Sequence, residues 1–128
     1  MGSLTAAVLH LREECCDVGL GGHAVLCHGG TGTMLAALTA GLPLVLVPQG
    51  ADQFDNARAC QRASAARALM PDEAAATAVR DAVRAVLADD SRERAAAREL
   101  AVEIATMPPA AEVAKDLESS SDRRGAAV

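Results

Sequence analysis

Two short apolar runs, Ala24 to Cys27 and Leu44 to Val47, constrain this chain more than any other feature. Each is too short for a buried helix and too uniformly apolar for a strand with one wet face, so each is expected as a covered strand of a parallel sheet. Glycines bound the first run and Pro48 closes the second. Between them, Thr33 to Ala40 is rich in helix formers, with Gly41 where a left-handed C′ residue belongs and Pro43 just beyond. Parallel neighbours cannot be joined by a hairpin, so strand, helix and strand in this order imply a right-handed βαβ crossover.

The remainder extends that unit. A helix is expected from Asp52 to about Ala66, then a short third strand over Arg67 to Met70. Beyond Pro71, Asp72 is expected to open a helix whose buried stripe is Val79, Val83, Val86 and Leu87, with Arg80, Asp81 and Arg84 facing water. Ser91 suits an N-cap for a helix to about Met107, with Ala95, Leu100, Ile104 and Met107 available for its buried side. Pro108 and Pro109 break it, and a last helix from Ala110 to about Glu118 follows. Residues 119–128 lack apolar patterning and are expected to be a disordered tail. Residues 1–22 form a lead-in, with one amphipathic stretch in which Leu4, Val8, Leu9 and Leu11 are partly aligned. The fold class expected is α/β: a short parallel sheet of two to three strands with helices packed around it.

The totals set bounds on function. At 128 residues the length is that of one domain, and with Phe54 as the lone aromatic the core must be built from Leu, Val, Ile, Met and Ala. A net charge of −5 gives no broad basic face, so neither nucleic acid nor an anionic membrane is expected as a partner. Cys15, Cys16, Cys27 and Cys60 make no spaced CxxC pair, and the N-terminus shows no signal-peptide or membrane-helix pattern, which together fit a reducing cytoplasm. No His, Cys, Asp or Glu spacing suits a metal, and no cofactor is implied. Cys27 is read as a small buried side chain.

The chemistry is expected in two loops. The first, His28-Gly29-Gly30-Thr31-Gly32-Thr33, lies between a buried strand and a helix start. Gly29, Gly30 and Gly32 can take positive φ and admit a ligand close to the backbone, while first-turn amides and the helix dipole favour an anion. His28 and Thr33 add an imidazole N–H and a hydroxyl that suit a phosphate or diphosphate. The same residues also suit a tight βα turn with His28 closing the strand. No Lys follows the last glycine, so this is not a Walker A loop, and it is not a GxGxxG fingerprint.

The second loop, Pro48 to Asn56, follows the next strand and so emerges at the same carboxyl edge. Asp52, Gln53, Asp55 and Asn56 offer acceptors and amides of the kind that bind sugar hydroxyls. Capping of the following helix by Asp52 or Asp55 is the competing reading.

The run HGGTGTMLAALTAGLPLVLVPQGADQFDN, His28 to Asn56, resembles the donor-binding signature of nucleotide-sugar-dependent glycosyltransferases of the GT-B fold. It is most similar to the bacterial enzymes that glycosylate natural products such as macrolides, and a looser similarity continues to about Leu117. The resemblance implies a partial Rossmann-like, GT-B C-terminal domain. It makes residues 23–118 a donor-nucleotide-sugar half-domain. It places the donor diphosphate on His28, Gly29, Gly30, Gly32 and Thr33, and the transferred sugar on Asp52 and Gln53. The donor implied is a UDP- or TDP-sugar, and the reaction is inverting hexosyl transfer to a small-molecule hydroxyl.

Two departures qualify what the resemblance implies. Ala36 stands where similar plant enzymes carry a ribose-binding glutamate, and the lead-in does not match the family's base-binding segment. The acceptor-binding N-terminal domain, which supplies the general base in that family, is expected on another chain if present at all, so no catalytic residue is assigned and the isolated chain is expected to be inactive. A non-catalytic nucleotide-sugar-binding or regulatory module, a truncated inactive gene product and a sugar-nucleotide epimerase are the alternatives, the Asp-Gln pair arguing against the last.

Overall fold

The computed structural model describes residues 23–125. The lead-in with its amphipathic stretch, Cys15 and Cys16 lie outside the described residues. The elements are β1 (Val25–Cys27), α1 (Thr31–Thr39), β2 (Leu44–Leu46), α2 (Gln53–Arg62), β3 (Ala66–Ala68), α3 (Ala76–Leu87), α4 (Arg92–Thr106) and α5 (Ala110–Gly125). The sheet is parallel throughout, in the order β1-β2-β3. Cys27 is level with Leu46, and Leu46 with Ala68. The chain is therefore α/β with a doubly covered parallel sheet.

The period-2 alternation of strands sorts side chains between two cores. Val25, Leu44 and Leu46 face α1 and α2, packing with Met34, Ala37, Leu38, Ala57 and Cys60. Val45 faces the other way and packs with Ala82 and Val86 of α3, flanked by Ala24, Leu26 and Leu69. Leu44, Val45 and Leu46 are all fully buried, as the unbroken apolar run requires, each contributing about 1.5–3 kcal/mol of burial. Among the described residues, no helix is long and apolar enough to cross a membrane.

Local signals decide several helix ends. α1 closes in a Schellman motif: Gly41, at φ 71°, donates to Leu38 O at 3.0 Å and Leu42 donates to Ala37 O at 2.9 Å. α2 ends in the same way with Ser64 in the left-handed position, at φ 60°. Ser91 caps α4 by accepting from the Arg94 amide at 3.2 Å.

The structure corrects other expectations. α1 begins at Thr31, two residues ahead of the expected Thr33, because extended Gly30 serves as its N-cap and accepts from the Met34 amide at 3.0 Å. The third strand is shifted to Ala66–Ala68. α3 begins at Ala76 instead of Asp72, since Met70 to Glu73 form a turn in which the Glu73 carboxylate accepts from the Met70 amide at 3.0 Å. In α3 Val86 is buried and Val83 packs beside it as expected, but Ala82 joins them in the core and Leu87 is exposed. In α4 Ala97 and Glu93 are buried and Ala95 and Met107 are exposed, although Leu100 and Ile104 do pack on the core. α4 rests on α1, and small residues at that crossing let it approach: a Cβ on Gly41 would lie 3.6 Å from Ala101 Cβ. α5 runs past the expected end at Glu118 into the segment read as a tail, with Ser119 and Ser120 hydroxyls bonded to carbonyls one turn back.

Glu93 is a buried carboxylate that periodicity did not anticipate. Arg67 Nε on β3 donates to its Oε1 at 3.0 Å, and Ser91 Oγ to its Oε2 at 3.1 Å. Burial raises its pKa, but bonds from its own backbone amide and Ser91, with the Arg67 charge, outweigh that and hold it below the ordinary value. Burial also pushes the Cys60 thiol up, with Cys27 adding to the effect. Cys27 itself is half-buried.

Candidate donor-binding site

The site forms where β1 and β2 end. The ladder continues one step past the strands, Val47 N–H donating to Cys27 O at 2.9 Å, so the loops after Cys27 and after Val47 leave the sheet side by side. This is the carboxyl-end crevice where α/β sheets bind ligands. Gly29, at φ 92°, lets the first loop turn directly against the second, since a Cβ there would stand 3.4 Å from the Gln53 carbonyl oxygen. Positive φ occurs at Gly29 and not at Gly30 or Gly32, which corrects the freedom expected of all three.

Gly30 is glycine for a spatial reason. A Cβ on Gly30 would lie 2.6 Å from His28 Cε1, because the imidazole covers that α-carbon. The Gly30 amide donates to His28 Nδ1 at 2.9 Å. An Nδ1 that accepts carries no proton, so in the neutral ring the proton sits on Nε2, which becomes a donor. Around Gly32 an added Cβ would meet nothing within 4 Å, leaving open space over the first turn of α1. Gly30 has no side chain with which to cap α1, and the positive end of the helix dipole is presented at the loop. Thr33 lies in that first turn, half-buried.

In the second loop the Gln53 side chain folds back. Its Oε1 accepts from the amides of Gln49 at 2.9 Å and Gly50 at 3.2 Å. These two donors fix which end of the amide is oxygen, and Nε2 is left as the outward group. The turn they close holds Ala51 at φ 52°, a left-handed conformation costing about 1 kcal/mol. Asp52 occupies the N-cap position of α2, but its side chain makes no capping bond. Its Oδ2 instead accepts from Thr31 Oγ1 at 3.1 Å, across to the first loop. Asp55 is not brought to the site: it pairs with Arg58 on the exposed side of α2.

The residue types foreseen at the site are thus brought together at one edge: His28, Gly29, Gly30, Gly32 and Thr33 on the β1 side, Asp52 and Gln53 on the β2 side. Sequence reasoning missed the part played by Thr31, and it gave Asn56 a ligand-facing role. Asn56 Nδ2 lies 2.9 Å from Gly29 O, 3.2 Å from Thr31 Oγ1 and 3.4 Å from Asp52 Oδ2. No spacing rule signals this, since the partners are up to 27 residues away. Among the described residues no group of three His, Cys, Asp or Glu could hold a metal.

Similar proteins carry related domains. Residues 15–119 match the model of the erythromycin biosynthesis protein CIII-like, C-terminal domain. The chain is 39% identical over 98 residues to the elloramycin glycosyltransferase ElmGT of Streptomyces olivaceus, covering 76% of this chain and 24% of that protein. It is 34% identical over 117 residues to the L-demethylnoviosyl transferase of Streptomyces niveus, covering 91% of this chain and 31% of the relative. Among solved structures, the spinosyn rhamnosyltransferase SpnG complexed with thymidine diphosphate superposes with a TM-score of 0.71 at 35% identity, over 77% of this chain and 27% of that one. The glycosyltransferase SnogD of Streptomyces nogalater gives 0.61 at 32% identity, over 78% and 26%. The chain thus spans about a quarter to a third of the length of these relatives. The fold, the site's edge and the family match agree: this chain belongs to the erythromycin biosynthesis protein CIII-like C-terminal domain family, the GT-B C-terminal domain of natural-product glycosyltransferases.

Proposed function

We propose that this chain binds the diphosphate and sugar of a UDP- or TDP-sugar, as the donor half of a hexosyltransferase acting on a small-molecule acceptor. The observation that carries this reading is the first turn of α1, roofed by His28 and open over Gly32. A diphosphate seated there takes backbone amides and the helix dipole on one side and His28 Nε2–H on the other. Asp52 and Gln53, at the mouth of the neighbouring loop, then face the sugar with one carboxylate oxygen and one amide NH2. The thymidine diphosphate bound to SpnG supports a nucleoside diphosphate as the ligand class.

In such a reaction the chain's contribution is to the leaving group. Charge develops on the departing diphosphate, and donors already aimed at it stabilise that charge without reorganisation. The acceptor and the base that deprotonates it would come from an acceptor-binding domain outside the residues described. Calorimetry tests the assignment: UDP or TDP should bind measurably and the corresponding nucleoside hardly at all, since the contacts available are to phosphate. Equal affinity for nucleoside and diphosphate would overturn it.

A further inference from the structure

The donor site has two halves on two loops, and a cluster of neutral side chains joins them. Asn56, on the first turn of α2, places its NH2 group among three acceptors: the Gly29 carbonyl, the Thr31 hydroxyl and Asp52 Oδ2. Three acceptors around one group fix its identity as the nitrogen end. Thr31 completes the circuit, accepting from Asn56 and donating its own hydroxyl proton to Asp52 Oδ2 at 3.1 Å. Neither residue has a polar hydrogen left over for a ligand in this arrangement. The amide nitrogen of Asn56 is therefore committed within the protein, which leaves only its Oδ1 for a sugar hydroxyl.

We infer that Asn56 and Thr31 are positioning residues that lock the diphosphate loop and the sugar loop into one register, and so set the preference for a diphosphate-linked sugar over the bare diphosphate. The inference rests on the proposed donor-binding function. Its physical basis is the state of Asp52. An exposed carboxylate next to a bound diphosphate suffers like-charge repulsion and has several rotamers open to it. Two donors on Oδ2 hold the side chain in one of them and satisfy that oxygen, leaving Oδ1 as the acceptor for a sugar hydroxyl. Of these donors Thr31 stands on α1 and Asn56 is bonded to the Gly29 carbonyl, so Asp52 is aligned on the phosphate subsite itself, across 21 residues of sequence. A site organised in advance loses less entropy when it binds.

The test uses the 128-residue chain, whichever of TDP and UDP it binds more tightly, and the glucose conjugate of that nucleotide. Calorimetry gives the ratio of the two dissociation constants for wild type, Thr31→Val, Thr31→Ser and Asn56→Asp, with thermal melts alongside. Thr31→Val is nearly isosteric and lacks the hydroxyl; Thr31→Ser keeps it. Asn56→Asp keeps the shape but cannot donate and adds repulsion to Asp52. Wild type should bind the sugar conjugate about tenfold more tightly than the diphosphate, the factor set by one bond to a charged group. That ratio should collapse to about one or two in Thr31→Val and Asn56→Asp and recover in Thr31→Ser, while melting temperatures of the Thr31 variants stay close to wild type. A ratio that survives in Thr31→Val overturns the inference and leaves the function standing. Equal loss of affinity for both ligands, tracking a fall in melting temperature, overturns it in favour of a purely structural role. A wild-type ratio near one overturns the sugar-binding reading itself.

Discussion

His28 and Gly30 fix one another: the Gly30 amide donates to His28 Nδ1 at 2.9 Å, and the ring lies so close that a Cβ on Gly30 would stand 2.6 Å from Cε1. The clash is with the outer edge of an exposed side chain, so Gly30→Ala should displace the imidazole instead of the backbone. His28→Ala should weaken diphosphate binding by about 1–3 kcal/mol, the range for a charge-assisted bond. Gly30→Ala should do nearly the same, and the double variant should be no worse than either alone. Calorimetry with thermal melts checks this; a large loss of stability with unchanged affinity would return His28 to a structural role at the strand end.

Gly32 separates stability from binding. It sits inside α1 with open space where a side chain would go. Gly32→Ala should therefore raise stability by about 0.5–1 kcal/mol through helix propensity. The new methyl would stand over the first-turn amides, so diphosphate affinity should fall. A variant that is more stable and binds equally well would mean that the ligand does not approach α1 there.

Glu93 makes stability pH-dependent. Its pKa in the folded chain lies below the ordinary 4.5, so its contribution is fully present above that value and is lost as pH falls through the folded pKa. Chemical denaturation from pH 7 to 3 should show this loss in wild type and a flatter profile in Glu93→Gln. At neutral pH Glu93→Gln should cost about 1–2 kcal/mol, toward the low end for charged bonds because the Arg67 side chain is 48% exposed. Identical pH profiles would show that Glu93 is not linked to folding.

For transfer itself, the 128-residue chain alone should form no glycoside. Transfer needs an acceptor hydroxyl aligned with the anomeric carbon and a base within about 3 Å of its proton, and both are proposed to lie on the acceptor domain. Supplying that domain from a compatible enzyme, as a second chain or a fusion, should restore turnover, and Asp52→Ala or Gln53→Ala should then reduce it. Mass spectrometry of donor consumption and glycoside formation is the measurement; robust product from the lone chain would refute the division of labour.

Much of this protein was settled by neighbouring residues in the sequence. The covered strand Leu44 to Leu46, the Gly41 stop of α1 and the Ser91 cap of α4 each depend on a few adjacent positions, and each lies where local rules put it. The order strand, glycine loop, helix, strand likewise fixed that the His28 and Asp52 loops would share one edge, since parallel pairing puts both strand ends there. Tertiary structure decided the rest, for a common reason: it concerns pairs far apart in sequence. The choice of Ala82 over Leu87 for the α3 core depends on how that helix rolls on Val45. Burial of Glu93 depends on Arg67 arriving from β3. The selection of Thr31 and Asn56, in place of a helix cap, to hold Asp52 depends on the distance between two loops, which the register of Cys27 against Leu46 sets and no local periodicity encodes.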